Sequence, residues 1–211
     1  MFTLTVDQRD SGRSPDLVEA TIDQLSRFPA RLALERTAGD EFQGLFDDPQ
    51  TVLDVVLELV RADTWHIGIG CGDVEHPLPA STRAARGPAY ELARQAVEKA
   101  KRRPQHLCVA GADEYAAGQA DAVLTLLAAL TQRRSEQAWE AIDLRHDGFS
   151  NAEIAAKLEI SRQAVGQRLA AGLWNQESGV RPVIAELLTA ASGTASRSAD
   201  GETDGETDGH G

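Results

Sequence analysis

The chain has 211 residues, 42% of them hydrophobic, and a formal net charge of −12. This length is enough for one large or two small domains, and the acidic balance argues against a broadly basic nucleic-acid-binding protein. The longest apolar run, Val123 to Leu130, is too short to cross a membrane. The N-terminus lacks the basic region of a signal peptide, and Cys71 and Cys108 form no CxxC pair. We therefore expect a cytoplasmic protein without a membrane partner.

The first 111 residues alternate strand-like and helix-like patterns. Apolar alternation predicts strands at 2–6, in a hairpin at 31–46, at 65–70 and at 106–110, and helical spacing predicts helices that begin at Pro15, at Asp48-Pro49 and near Tyr90. The order is β-α-β-β-α-β followed by a helix and a strand. It matches a ferredoxin-like split βαβ domain with an extension, so we predict an α+β fold.

The hairpin provides the first candidate site. Gly39-Asp40 marks its turn, because glycine accepts positive φ and aspartate can bond the local backbone. In the split βαβ order the first strand lies beside the hairpin, so Asp7 at its end can approach Asp40. Carboxylates gathered at a sheet edge suit Mg²⁺ or Mn²⁺. The alternative is that Asp40 and Glu41 are solvated turn residues and that Asp7 caps the following loop.

The same part of the chain resembles a known family. Asp7, Arg36 to Asp40, His66 to Gly70 and Gly87 to Arg94 resemble the ordered motifs of class III nucleotidyl cyclases. The turn Ala38 to Phe42 is also similar to the signature turn of diguanylate cyclases. Gly39 to Leu45 is most similar to the SatD family of small bacterial proteins. The cyclase-like resemblance covers roughly residues 1–111.

The resemblance implies roles for four residues at the metal end of such a site. Asp7 and Asp40 match the two metal-binding aspartates, with Glu41 able to assist. Arg94 matches an arginine that contacts substrate phosphates from the partner subunit of a homodimer. The alternative for Arg94 is a solvated charge on a surface helix.

The resemblance is altered at the base-reading end. Arg36 stands where adenylate cyclases have a purine-reading lysine, and Tyr90 lies where cyclases place a ribose-orienting asparagine. The purine-reading acid has no counterpart, and Arg83 or Arg86 falls near its position. These changes favour the binding of a nucleotide ligand over catalysis on ATP or GTP.

The apolar pattern of residues 114–130 predicts a long helix. Its apolar stripe is Val123, Leu124, Leu126, Leu127 and Leu130. Such a helix packs into a core, connects two domains or forms a dimer seam.

Residues 134–174 carry the second candidate site. Ser150 and Glu153 form a capping box for a helix ending at Leu158, and Ser161 caps a second helix, Arg162 to Trp174. This spacing resembles the region-4-like helix-turn-helix of sigma factors and response regulators, with Glu159 at the usual turn glycine. The predicted outward side chains, Arg162, Gln163, Gln167 and Arg168, can pair with base edges in DNA. The alternative is a plain three-helix bundle.

We therefore predict a cyclase-like domain at 1–112, a connecting or dimerisation helix at 113–132, a helix-turn-helix domain at 133–191, and a disordered acidic tail at 192–211. The favoured function is a homodimeric transcriptional regulator that binds double-stranded DNA and senses a nucleotide. The alternative is a metal-dependent nucleotidyl cyclase or transferase with an accessory helix-turn-helix.

Overall fold

The computed structural model describes residues 1–193, and most of the predicted acidic tail lies outside them. The described part is a mixed α+β structure with a five-stranded sheet, which confirms the predicted class. The strands are β1 (Phe2–Gln8), β2 (Leu32–Ala38), β3 (Glu41–Phe46), β4 (Trp65–Cys71) and β5 (Leu107–Gly111). The α-helices are α1 (Val18–Leu25), α2 (Pro49–Ala62), α3 (Pro88–Ala100), α4 (Glu114–Thr131), α5 (Glu136–His146), α6 (Asn151–Lys157), α7 (Arg162–Ala171) and α8 (Trp174–Ala191). Every helix in the described range is too short or too polar to cross a membrane.

The sheet has the strand order β2-β3-β1-β4-β5. The central strand β1 runs antiparallel to both β3 and β4, and β5 pairs in parallel with β4. In this register Asp7 lies opposite Glu41 on one side and opposite His66 on the other. The end of β1 therefore meets the tip of the β2–β3 hairpin, as the predicted element order requires.

The two faces of the sheet differ in chemistry because successive side chains on a strand point to opposite faces. Phe2, Leu4 and Val6 belong to the main core with α2, α4 and part of α8. On the opposite face β1 presents Thr3, Thr5 and Asp7. Helix α3 packs across that opposite face, so the acidic end of β1 lies beside α3 rather than within the main core.

Glycines in β4 let α3 approach closely. A Cβ built on Gly68 would lie 2.3 Å from the backbone nitrogen of Val97, and one on Gly70 would lie 2.0 Å from the carbonyl oxygen of Ala89. These distances exclude any side chain at either position. The sequence pattern of glycines at 68 and 70 therefore sets the distance between α3 and the sheet.

Some predicted helix boundaries are wrong. Helix α1 begins at Val18 rather than at Pro15, because Gln8 binds the preceding segment: its Nε2 donates to the Pro15 carbonyl at 2.7 Å and its Oε1 accepts from the Leu17 N–H at 2.9 Å. Helix α7 ends at Ala171, and Leu173 turns the chain with φ +57° so that Trp174 starts α8.

The helical C-terminal part has its own small core. The buried side chains are Ala141, Ile142, Ile154, Ala155, Val165 and Leu169. At the end of α8, Ile184, Leu188 and Ala191 belong instead to the core beneath the sheet. Helix α8 thus joins the two cores.

Candidate functional site

The predicted carboxylates converge at the end of β1. Asp7 lies opposite Glu41, and the backbone N–H of Gln8 donates to the Asp40 carbonyl at 3.1 Å. Burial raises the pKa of the Asp7 carboxyl above its ordinary value, and the charges of Asp40 and Glu41 raise it further. The three acids therefore form one electrostatic group, which we name the acidic edge.

A lysine from α3's end supplies the counter-charge at the acidic edge. Lys101 Nζ lies 3.2 Å from Asp7 Oδ2 and 2.9 Å from Glu98 Oε1. This contact lowers the pKa of Asp7 but only partly offsets the effect of burial. Neighbouring acids need a cation or a basic group to offset their repulsion, and Lys101 is such a basic group beside Asp7.

Arg94 also reaches the acidic edge within the same chain. Its Nη2 lies 3.7 Å from Glu41 Oε1, while Thr37 Oγ1 donates to that oxygen at 2.6 Å. The Arg94 side chain is 67% exposed, so the guanidinium remains open to solvent. Arg94 and Lys101 together give the acidic edge two cationic groups that could contact phosphate oxygens.

Arg36 lies in a different set of contacts. Its guanidinium donates to both carboxylate oxygens of Asp16 at 2.8 and 2.7 Å, to Glu19 at 2.9 Å and to the Gly39 carbonyl at 2.6 Å. These bonds raise the pKa of Arg36 above its usual range. The residue predicted to read a base thus ties the hairpin turn to α1 and to the segment before it.

Tyr90 is also engaged elsewhere. Its ring is buried with Leu45, Val74 and Ala89, and its hydroxyl lies 3.0 Å from Thr82 Oγ1. Arg83 donates its backbone N–H to Glu35 at 3.4 Å. The structure therefore does not bring Tyr90 to the acidic edge.

The acidic edge offers few ligands for a metal ion. Residues 1–193 contain no group of three or more histidine, cysteine or acidic side chains arranged to hold one. Asp7 and Glu41 alone would offer two carboxylates, and Mg²⁺ commonly accepts one or two carboxylates with phosphate oxygens and water as its remaining ligands. The acidic edge therefore supplies fewer ligands than a divalent cation needs, and phosphate oxygens or water would have to complete the coordination.

The second candidate site is the pair α6–α7. Ser150 accepts from the Glu153 backbone N–H at 3.3 Å, and the Glu153 carboxylate accepts from the Ser150 N–H at 2.8 Å, which completes the capping box. Ser161 accepts from the Ala164 N–H at 3.1 Å and so caps α7. Glu159 between the helices has φ +54°, the conformation that glycine usually supplies at such a turn.

The outward face of α7 is rich in donors. Ser161, Arg162, Gln163 and Gln167 are exposed, while Val165 and Leu169 are buried against α5 and α6. Arg168 differs from the prediction, because its Nη1 lies 3.0 Å from Glu140 Oε2 on α5 and its side chain is only 25% exposed. The exposed donor face thus extends from Ser161 to Gln167 and does not include Arg168.

The sequence analysis did not identify a buried charged network at the start of α8. Glu177 is 1% exposed and contacts Arg134 Nη2 at 2.6 Å, Arg181 Nη1 at 3.0 Å and His146 Nε2 at 3.5 Å. Burial opposes ionisation, but His146 and Arg134 lower the pKa of Glu177 to about 2. Arg181 also pairs with Asp54 on α2, so the network links the helical part to the sheet part. An acid four residues before an arginine on one helix was the only local signal.

No family model, no curated protein and no solved structure matches this chain.

Proposed function

We propose that the protein is a DNA-binding transcriptional regulator whose sheet domain forms a homodimer and binds a nucleotide-like ligand. The observation that carries the proposal is the geometry of α6 and α7: two capped helices, a left-handed turn residue between them and an exposed donor face on the second. Helix-turn-helix proteins place such a second helix in the major groove of double-stranded DNA.

The side chains on α7 support base contacts. Arginine pairs bidentately with guanine, and glutamine pairs bidentately with adenine. Arg162 and Gln163 at the helix start are exposed and make no side-chain bond within residues 1–193. A protein that binds chromosomal DNA must lie in the same compartment as the chromosome, so we also propose that this protein is cytoplasmic.

The proposed fold of the first part is ferredoxin-like. The order β2-β3-β1-β4 with antiparallel neighbours is the arrangement expected from a β-α-β-β-α-β chain. This arrangement, together with the resemblance of residues 1–111 to nucleotidyl cyclases and of residues 39–45 to the SatD family, supports a ligand-binding rather than a purely structural domain.

The second candidate function is a metal-dependent nucleotidyl cyclase or transferase. It is favoured by the convergence of Asp7, Asp40 and Glu41 near Arg94. Sensing is favoured over catalysis because Arg36 and Tyr90 are bonded elsewhere and because Lys101 occupies the counter-charge position at Asp7. Mg²⁺ or Mn²⁺, when bound with a nucleotide, would supply a counter-charge for its phosphates.

Lys101 gives a test of the cation site. Lys101→Met leaves Asp7 without its ammonium partner, so we expect tighter binding of Mn²⁺ in calorimetry than in the native protein. Adding Asp7→Asn should abolish that gain, and Lys99→Met on the exposed side of α3 is the matched control. Equal Mn²⁺ affinity in all four proteins would refute the cation site.

Genome-wide mapping of bound DNA, done with and without nucleoside triphosphates, tests the regulator. We expect discrete binding sites whose occupancy changes with the nucleotide. Uniform recovery of DNA across the chromosome would refute sequence-specific regulation, whereas specific sites that ignore nucleotides would refute only the sensing role.

A further inference from the structure

Helix α4 exposes an apolar stripe that faces away from the core. The side chain of Tyr115 is 78% exposed and that of Leu126 is 61% exposed, and Ala122 between them is exposed as well. Spacings of seven and four residues place the three on one face of a helix. We name Tyr115, Ala122 and Leu126 the outer stripe. The apolar residues noted in the sequence are therefore divided between two faces: Leu126 is exposed, and the core-facing side of α4 is formed by Ala120, Leu124 and Leu127.

We propose that the outer stripe is the homodimer interface and that two α4 helices pack antiparallel across a two-fold axis. This inference rests on the homodimer of the proposed function and names the surface that forms it. An apolar helix face open to solvent is stabilised when a second apolar surface removes it from water.

Opposite charges at the two ends of α4 favour an antiparallel pair of α4 helices from two copies of the chain. Glu114 lies at the first position of α4 and Arg133 just beyond its end, both are exposed, and neither has an ion-pair partner among residues 1–193. Their positions differ by nineteen residues, which corresponds to roughly 28 Å at the rise of an α-helix. In an antiparallel pair, Glu114 of one copy meets Arg133 of the other at both ends, whereas a parallel pair would bring like charges together.

A dimer could also form by pairing of the β5 edge strands of two copies, but side chains already bind the backbone of this edge. At the exposed edge of β5, the Val109 N–H donates to Asp121 Oδ1 at 2.8 Å, and Arg103 donates to the Leu107 carbonyl at 3.3 Å. Arg103 and Asp121 are themselves paired at 2.7 Å. These side chains bind backbone groups that a second sheet would need. Of the two neighbouring surfaces, α4 rather than the β5 edge is therefore the one available to a second copy.

The position of Arg94 does not require the cyclase-like interface, in which this arginine reaches into the site of the partner subunit. Cyclase-like domains place this arginine in the partner's site, but here it lies 3.7 Å from Glu41 of its own chain. A single helix pair buries less than the roughly 1,600 Å² of a standard interface, so we expect a weak, reversible dimer.

Sedimentation of the full chain without DNA tests the interface. The native protein should form dimers at high micromolar concentration, and Leu126→Glu should be monomeric with an unchanged circular dichroism spectrum. Glu114→Arg and Arg133→Glu should each weaken the dimer about tenfold, and the double reversal should restore it. A monomeric native protein, or a Leu126→Glu variant that still dimerises, would overturn the proposal.

Cysteine cross-linking tests the direction of packing, since Cys71 and Cys108 are both buried. Ala122→Cys lies near the two-fold axis and should form a disulfide-linked dimer on mild oxidation. Tyr115→Cys lies at the helix end and should remain unlinked. Cross-linking of the Tyr115→Cys variant alone would overturn the antiparallel arrangement.

Failure of the dimer and failure of DNA recognition are distinguishable. Leu126→Glu should still bind a duplex containing one half-site, although more weakly on a two-site duplex. A dimeric protein that binds neither duplex would leave the interface intact and refute the DNA-binding function.

Discussion

At the scale of single residues, Glu177 is a buried carboxylate, 1% exposed, with three basic side chains beside it. It is surrounded by Arg134, Arg181 and His146, and the Arg134 guanidinium also stacks 4.7 Å from the Trp139 ring. Removal of this carboxylate would leave the buried Arg134 guanidinium without its charge partner, and an uncompensated buried charge is strongly destabilising.

We therefore expect Glu177→Gln to lower the free energy of unfolding by about 3–5 kcal/mol, the usual effect of breaking a buried ion pair. Urea denaturation at neutral pH measures this loss, with Glu186→Gln on the exposed side of α8 as control.

The pKa of Glu177 falls from 4.5 to about 2 on folding, so its stabilising contribution is complete above about pH 4.5 and is lost as the pH falls toward 2. Identical acid-stability curves for native and Glu177→Gln proteins would contradict this role.

The sequence predicted the convergence of Asp7, Asp40 and Glu41 because strand order alone decides which strand ends meet. It did not predict the partners of Arg36, Tyr90 or Lys101, because each contact depends on side chains distant in sequence. Asp16 and Glu19 hold Arg36 from 20 and 17 residues away, and Lys101 reaches Asp7 from the end of α3.

At the scale of elements, the packing of α3 on the sheet depends on β4 having no side chains at 68 and 70. Gly68→Ala and Gly70→Ala would place a methyl group within about 2 Å of the α3 backbone, and such overpacking costs about 1–3 kcal/mol or more. Gly179→Ala on α8 is the matched control, because a Cβ there meets no atom within 4 Å. A Gly-to-Ala change within a helix should raise the free energy of unfolding by about 0.5–1 kcal/mol. Thermal denaturation of the three variants measures the difference. Equal melting temperatures would show that α3 can shift without cost.

The turn between α6 and α7 makes a prediction of the opposite sign. Glu159 has φ +54°, which costs an L-residue about 1–2 kcal/mol and costs glycine little. We expect Glu159→Gly to raise the free energy of unfolding by about 1 kcal/mol, whereas Glu159→Ala removes the same charge but keeps the backbone penalty. If both variants change stability equally in urea denaturation, the charge rather than the backbone conformation decides the effect.

Element order and helix caps were predictable because they depend on short-range patterns: alternation in strands, and Ser150 and Ser161 before helices. The start of α1 and the break at Leu173 were not, since a long-range bond from Gln8 and a left-handed turn at an ordinary leucine decide them. The course of α8 also lay beyond local pattern, because its first turn binds Arg134 and its last turns enter the core beneath the sheet.

At the scale of the whole molecule, α8 and the Glu177 network join a sheet domain to a small helical bundle. The sheet domain presents the acidic edge on one side of its sheet and the outer stripe on α4, while the bundle presents the donor face of α7. A ligand at the acidic edge and DNA at α7 would therefore act on two separate surfaces of one chain, as a ligand-sensing regulator requires.

The measurement that tests the DNA-binding claim most directly is selection of duplexes from a random library, followed by titration of the enriched sequence. The native protein should enrich one motif, and Arg162→Ala with Gln163→Ala should lose about 1–3 kcal/mol of affinity for each lost base contact. Arg102→Ala with Gln95→Ala, which removes the same side-chain types from exposed positions in the sheet domain, should bind as the native protein does. If no motif is enriched, or if the α7 variant binds it with native affinity, α7 is not a recognition helix and the account of the protein as a DNA-binding regulator is wrong.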